Sequence, residues 1–273
     1  AAKASTPGHW RRRRSGGFFD TMPRHRQPNV PPNNVPFKNS AYHLFHPVLR
    51  WVRSQPLLIR WLLGVRLPRG ADVAFDPTTV LLARAARGLA KPEDESALEM
   101  GVGAGALVLL SLALDRAKRG QPIAVAGCDC VPRRVESARA VASHNGVDAE
   151  VFESDLFDAV PTDRRFDLIL FNPPYVPTAV GEELRMGTRL TDERTMWDGG
   201  DDGLAVLRRF LAEAPAWLSP TGRVLFGVQH VFVSDEAVRR VIDASPMSLQ
   251  QTYTRRSVPA EVYVVAPADR AGK

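Results

Sequence analysis

Ala97-Leu-Glu-Met-Gly-Val-Gly-Ala-Gly-Ala106 is the stretch that sets the architecture. A short apolar strand, Ala97–Met100, runs into three glycines at alternate positions, and helical periodicity takes over from about residue 105 to 118. Glycine has no Cβ, so such a turn folds tightly and lets other groups approach its backbone. Strand, glycine turn and helix together aim backbone N–H groups past the strand end. On the upstream side the spacing predicts a helix over Thr78–Leu89. Downstream it predicts strands at Ile123–Cys128, Glu150–Glu153, Phe166–Phe171 and Arg223–Val228, with helices at Pro132–Asn145, Leu204–Leu218 and Asp235–Ala244. Two late strands, Leu249–Arg255 and Glu261–Ala266, are joined too closely for a crossover helix and predict an antiparallel edge hairpin. The expected fold is α/β: a doubly wound, mostly parallel seven-stranded sheet with helices on both faces.

Composition sets the outer limits. Of 273 residues, 44% are hydrophobic and 24% charged, the balance of a globular chain with a sizeable core. The apolar runs Leu57–Leu63 and Ala106–Leu114 fall short of the roughly 18 residues a membrane-spanning helix needs, so no membrane insertion is expected. Cys128 closes the second strand, Cys130 lies two residues on, and the two read as unbridged thiols of a reducing compartment. Charge is placed unevenly. Residues 1–70 hold 13 of the 36 Lys and Arg but one of the 30 Asp and Glu, Asp20, for a net +12, against −6 for the rest. Residues 1–40, with Arg11–Arg14 and Pro31-Pro32, show no apolar period and read as a basic, proline-rich extended arm. Residues 41–67 read as short basic amphipathic helices broken at Pro47 and Pro56, and residues 68–273 as the α/β domain.

Gly101-Val-Gly-Ala-Gly-Ala106 fits two glycine patterns, that of dinucleotide-binding turns and that of S-adenosylmethionine (SAM) enzymes, and spacing alone does not separate them. Asp129 follows the second strand, where a carboxylate can accept both hydroxyls of a ribose. Asp155 follows the third, placed for an adenine amino group, with Leu156 or Phe157 covering the ring. The fourth strand then enters Asn172-Pro173-Pro174-Tyr175. Two prolines fix φ and remove two donors, leaving a rigid turn whose carbonyls serve as acceptors. The Asn172 amide and the Pro173 carbonyl can take both hydrogens of a planar –NH2 group, and Tyr175 offers a face for it to stack on. Hydride transfer has no evident use for that arrangement.

These segments, with Leu98–Gly105, Gly127–Asp129, Glu153–Phe157 and Phe166–Tyr175, resemble class I SAM-dependent methyltransferases that act on amide or exocyclic amino nitrogens. Within that class the chain is most similar to the release-factor glutamine N5-methyltransferase (HemK/PrmC) group, over about residues 75–230; Trp197-Asp-Gly-Gly-Asp-Asp-Gly-Leu204 and Leu218-Ser-Pro-Thr-Gly222 share in the likeness. The resemblance implies SAM as cofactor, held by Glu99, Gly101, Gly103, Gly105, Asp129, Asp155, Leu156 and Asn172, and no metal. It implies catalysis by Asn172, Pro173 and Tyr175 on a protein glutamine of a release factor or ribosomal protein. The chain departs from that group where a basic arm replaces an N-terminal helical bundle, where Gln229 stands in place of the usual Glu after the fifth strand, and where Gln250–Val265 lacks an Asp-Arg pattern.

Arginines interleaved with Trp10, Phe18, Phe19, Tyr42 and Trp51 suit a phosphate backbone and stacked bases, so a ribosomal particle or rRNA is the expected partner of residues 1–70. An Arg-rich, acid-poor N-terminus is also the composition of a mitochondrial address, which makes the mitochondrial matrix the expected location and the cytoplasm the alternative. Three functions compete: an N-methyltransferase on a protein glutamine or an rRNA base, a methyltransferase fold serving as a structural or assembly component of a (mito)ribosomal particle, and a nicotinamide oxidoreductase. His43 and His46 read as surface or packing residues, and Glu182, Glu183 and Arg185 as a substrate lid or a solvated charge run.

Overall fold

A computed structural model describes residues 48–186, 194–256 and 258–270. The arm, with His43 and His46, lies outside the described residues. The strands are β1 (Ser96–Met100), β2 (Ala124–Asp129), β3 (Ala149–Glu153), β4 (Phe166–Phe171), β5 (Leu218–Gln229), β6 (Met247–Thr254) and β7 (Ala260–Pro267). They form one seven-stranded sheet in the order β3-β2-β1-β4-β5-β7-β6. β1 to β5 are parallel, while β7 runs antiparallel to both β5 and β6, so the expected edge hairpin is present.

The central strands read as unbroken apolar runs because helices cover both faces. In β4 every side chain except Asp167 is buried. One face packs Ala97, Val125, Leu168 and Leu225 against the helices Pro77–Leu89, Leu107–Lys118 and Pro132–His144. The other packs Leu98, Ala126, Ile169 and Val224 against Ala205–Glu213 and Asp235–Asp243. The register sets Met100 beside both Cys128 and Phe171, so the chain leaves β1, β2 and β4 at one edge, where Gly101, Cys130 and Asn172 follow.

Two expectations are corrected. The helix predicted to reach Leu218 ends at Glu213; Pro215 opens a 3-10 turn, Ala214–Trp217, and β5 already begins at Leu218. Leu218 pairs with Phe166, a register shift follows between Phe166 and Leu168, and the ladder resumes at Arg223. The domain also begins before residue 68. Ile59, Leu63 and Val65 are fully or almost fully buried in the main core, while Leu57 and Trp61 on the other side of the helix Pro56–Leu63 are exposed.

At the amino ends of the strands, Arg223 donates two hydrogen bonds to the Asp94 carboxylate, at 3.0 and 2.9 Å, and a third to the Leu89 carbonyl. Arg116, also buried, donates to the carbonyls of Lys91, Pro92 and Asp94. These bonds fix the loop that feeds β1.

Candidate cofactor and acceptor site

A cleft of about 1040 Å³ opens outside the carboxyl ends of β1 to β4, the place where open α/β sheets bind ligands. Glu99, Gly101, Gly103, Gly105, Asp129, Asp155, Leu156 and Asn172 all line it, so the structure gathers every cofactor residue expected from the sequence into one cavity.

The glycine turn departs from ideal helix geometry in a useful way. Gly101 and Gly103 hold φ of +64° and +57°. A Cβ on Gly103 would meet nothing within 4 Å, which leaves that backbone open to the cleft, whereas one on Gly105 would come within 2.6 Å of Val73. Gly103 thus leaves room on the cleft side, and Gly105 serves packing. Ala106, with φ +44°, makes the final left-handed step before the helix starts at Leu107.

Asp129 ends β2 almost wholly buried. Its Oδ2 accepts the Gly103 N–H at 2.9 Å and its Oδ1 the Val131 N–H at 3.0 Å, with the Arg134 guanidinium 3.6 Å away. Oδ2, which accepts a single N–H, keeps a second lone pair, while Oδ1 is shared between Val131 and the Arg134 guanidinium. Burial raises the Asp129 pKa, and Arg134 and the two N–H donors oppose that rise. Glu99 accepts the Leu109 N–H at 2.8 Å and ties β1 to the helix behind the turn. Burial pushes its carboxyl up to about 8, against the hydrogen bonds from Leu109 and Val108. Asp155 is exposed at the rim and pairs with Arg209 at 3.1 Å, and Leu156 beside it is buried with φ +48°.

On the acceptor side Asn172 lines the cleft with Pro174, while Pro173 and Tyr175 are buried behind them. The Asn172 Oδ1 is buried and has no hydrogen-bond partner. Tyr175 turns its face into the protein: its ring lies 6.2 Å from that of Phe232. The hydroxyl contacts Asp76 Oδ2 and Thr78 Oγ1, each at 3.1 Å, and Gln229. Burial, then the Asp76 charge, raises its pKa well above the ordinary tyrosine value. The structure thus makes Tyr175 a buried brace of the turn.

Asp76, Thr79, Arg50 and Arg53 also line the cleft and were missed from sequence. Asp76-Pro77-Thr78-Thr79 carries the signal of a helix start, an acceptor before a proline at the first helical position, and nothing in it points to a site. Glu182 lies in the short helix Thr178–Glu183 and pairs with Arg194, which lines the cleft, at 3.0 Å. Cys128 and Cys130 are free thiols, as expected. Among the described residues, the one His/Asp/Glu group spaced for a metal is His230, Asp235 and Glu261, which does not line the cleft.

The residues present fit SAM: glycine backbone open to the cleft, a buried carboxylate at the end of β2, and a second carboxylate and a buried leucine after β3.

Comparison with known proteins agrees. Residues 71–193 match the model of the methyltransferase small domain. A release factor glutamine methyltransferase of Geobacter sulfurreducens is 33% identical over 183 residues, 64% of this chain and 61% of that protein. A Methanocaldococcus jannaschii relative named for protein N5-glutamine methylation is 34% identical over 210 residues, 76% of this chain and 96% of that protein. The chain thus spans about three-fifths of the bacterial relative and nearly all of the archaeal one. A methyltransferase structure from Pyrococcus furiosus shares the fold with a TM-score of 0.54 at 16% identity, over 81% of this chain and 97% of that one.

Proposed function

From the premise that this chain belongs to the protein N5-glutamine methyltransferase family of SAM-dependent methyltransferases, we propose that it methylates the side-chain amide nitrogen of a glutamine in a protein substrate, a release factor first among them. The observation that carries this reading is Asn172 Oδ1, a buried acceptor at the cleft with no partner. Leaving such a group unpaired costs about 1–3 kcal/mol, and an incoming N–H relieves that cost. The Pro173 carbonyl, on a turn with two prolines, takes the second N–H. Bound SAM supplies an electrophilic methyl group on a sulfonium. An amide nitrogen is a weak nucleophile because its lone pair is delocalised. Two acceptors on its hydrogens return electron density to it and hold its plane, so positioning supplies most of the catalysis. No general base is required at the outset, since the proton can leave after transfer.

The excess charge of residues 1–70 supports a ribosomal setting, in which the substrate is met on or near the particle. It also favours a second reading, transfer to an exocyclic amino group of an rRNA base. Incubation of full-length protein with methyl-labelled SAM and, separately, release factors, ribosomal proteins and rRNA tests both. Label in a release factor glutamine supports the first reading, and label confined to rRNA supports the second. No label in any acceptor sinks both and leaves a structural component of the particle.

A further inference from the structure

Asp76 does two jobs. As the residue before the helix Pro77–Leu89, its Oδ1 accepts the Thr79 N–H at 2.7 Å and the Thr79 hydroxyl at 2.9 Å. Serine, threonine or asparagine caps a helix about as well, so this job does not call for a carboxylate. The second job faces the cleft. Asn172 Nδ2 lies 3.4 Å from each Asp76 oxygen and 3.4 Å from Thr79 Oγ1, while Asp76 Oδ2 also accepts from the Tyr175 hydroxyl. All the polar atoms that meet the Asn172 carboxamide lie on its nitrogen side, and its oxygen meets none.

The two ends of an asparagine side chain have nearly the same shape, and only the surrounding hydrogen bonds decide which end points where. A carboxylate accepts and does not donate. Were Asn172 turned over, its oxygen would stand against two carboxylate oxygens and its NH2 would face the acceptor. We propose that Asp76 is a positioning residue that fixes the Asn172 carboxamide with Oδ1 toward the cleft. It thereby makes the site selective for acceptors that donate hydrogen bonds, the –NH2 of an amide or amine, over acceptors that only receive them, such as a carboxylate. Tyr175, held by Thr78 and Gln229, keeps that carboxylate in place. This inference rests on the reading of Asn172 as the acceptor-binding group.

The test uses full-length protein with SAM bound. Asp76→Asn keeps the size and the cap but presents Asn172 with a donor as well as an acceptor, which removes the one-way constraint. With 15N-asparagine labelling, the Asn172 side-chain NH2 resonances, identified by their loss in Asn172→Ala, are expected to move or split in Asp76→Asn. At saturating SAM, kcat on a release factor is expected to fall roughly ten- to a hundredfold, the range of a hydrogen bond to a charged group. In the Asn172→Ala background the same substitution should cost less than about twofold more, because the two residues act as one unit. Asp76→Ser, which caps but is too short to reach Asn172, serves as the second variant and should match Asp76→Asn. Unmoved Asn172 resonances with kcat within about twofold of wild type overturn the proposal, as do losses that multiply in the double variant. If wild-type protein methylates no acceptor, the glutamine reading fails, and the resonances still decide for or against Asp76.

Discussion

At the amino ends of the parallel strands, Arg223 and Asp94 meet in a two-point ion pair whose side chains are 10% and 3% exposed, and Asp167 accepts from Ser96, Ser219 and the Glu95 N–H. At the carboxyl ends, Asn172 keeps a bare oxygen, Trp197 an unpartnered indole N–H, and Ala106 and Leu156 hold left-handed backbone. Both ends bury polar groups under the same helices. The amino end pairs the charges of Asp94, Asp167 and Arg223 within the chain and leaves Arg116 Nε without a partner, whereas the carboxyl end leaves Asn172 Oδ1 unpartnered on a residue that lines the cleft. Stability and function have therefore been placed at opposite ends of one sheet, and substitutions at the two ends are expected to fail in different ways.

The largest effect belongs to the amino end. Asp94→Ala leaves Arg223 buried without its partner, and removal of one member of a buried pair costs about 3–5 kcal/mol. Thermal or urea unfolding should show that loss, while SAM titration of the protein that remains folded should give an unchanged Kd. A weakened Kd would break the separation of the two ends. Asn172→Ala is the mirror case: roughly a hundredfold loss of kcat, a Kd for SAM within a few-fold, and a melting temperature at or slightly above wild type, because an unsatisfied acceptor is removed. Asp129→Ala comes next. A hydrogen bond to a charged group is worth about 1.5–3 kcal/mol, so calorimetry should find SAM binding at least about tenfold weaker. Unchanged affinity would remove Asp129 from the cofactor site.

Glu99 sharpens the comparison through pH. Burial lifts its carboxyl from the ordinary 4.5 to about 8. Below the lower value both folded and unfolded chains carry the proton. As pH rises to about 8, the unfolded chain releases it and the folded chain keeps it, so this group makes stability fall across that window and adds no further slope above it. Glu99→Gln cannot ionise. The stability difference between variant and wild type should therefore shift in the variant's favour from pH 4.5 to 8, read by urea unfolding at several pH values. A difference that stays constant with pH would show that Glu99 is ionised in the fold.

The sheet was legible because its strands are local apolar runs cut by glycine and proline, and the cofactor residues because they follow strand ends directly in the chain. Asn172 was legible for the same reason. Asp76 was not, since it sits 96 residues from Asn172 and its local sequence describes a helix start completely. Tyr175 was found, but an aromatic ring beside a turn looks alike in sequence whether it faces a cleft or, as here, Phe232. The domain start was misplaced because Ile59 and Leu63 lie among arginines and exposed apolar residues, and burial of one helix face depends on helices far along the chain.

The smallest effect on stability is expected from the arm. Deleting residues 1–40 removes Lys3, Arg11, Arg12, Arg13, Arg14, Arg24, Arg26 and Lys38 against Asp20, lowering the net charge by seven. Every buried apolar side chain of the described core lies at Ile59 or beyond, so the melting temperature should move by no more than about a degree. A deletion extended through residue 67 removes Ile59, Leu63 and Val65 as well and should destabilise by several kcal/mol, at about 1.5–3 for each fully buried side chain. The two truncations together locate the start of the folded domain. Binding, unlike stability, should respond to the shorter truncation as well. Every phosphate that is no longer neutralised by a Lys or Arg lowers the log–log salt slope by roughly 0.7–0.9, so the shorter deletion should already weaken co-sedimentation with ribosomal particles and flatten its dependence on salt. Equal binding and equal slopes with and without residues 1–40 would make the arm an address and not an anchor. The methyltransferase domain would then have to find its substrate by the cleft alone.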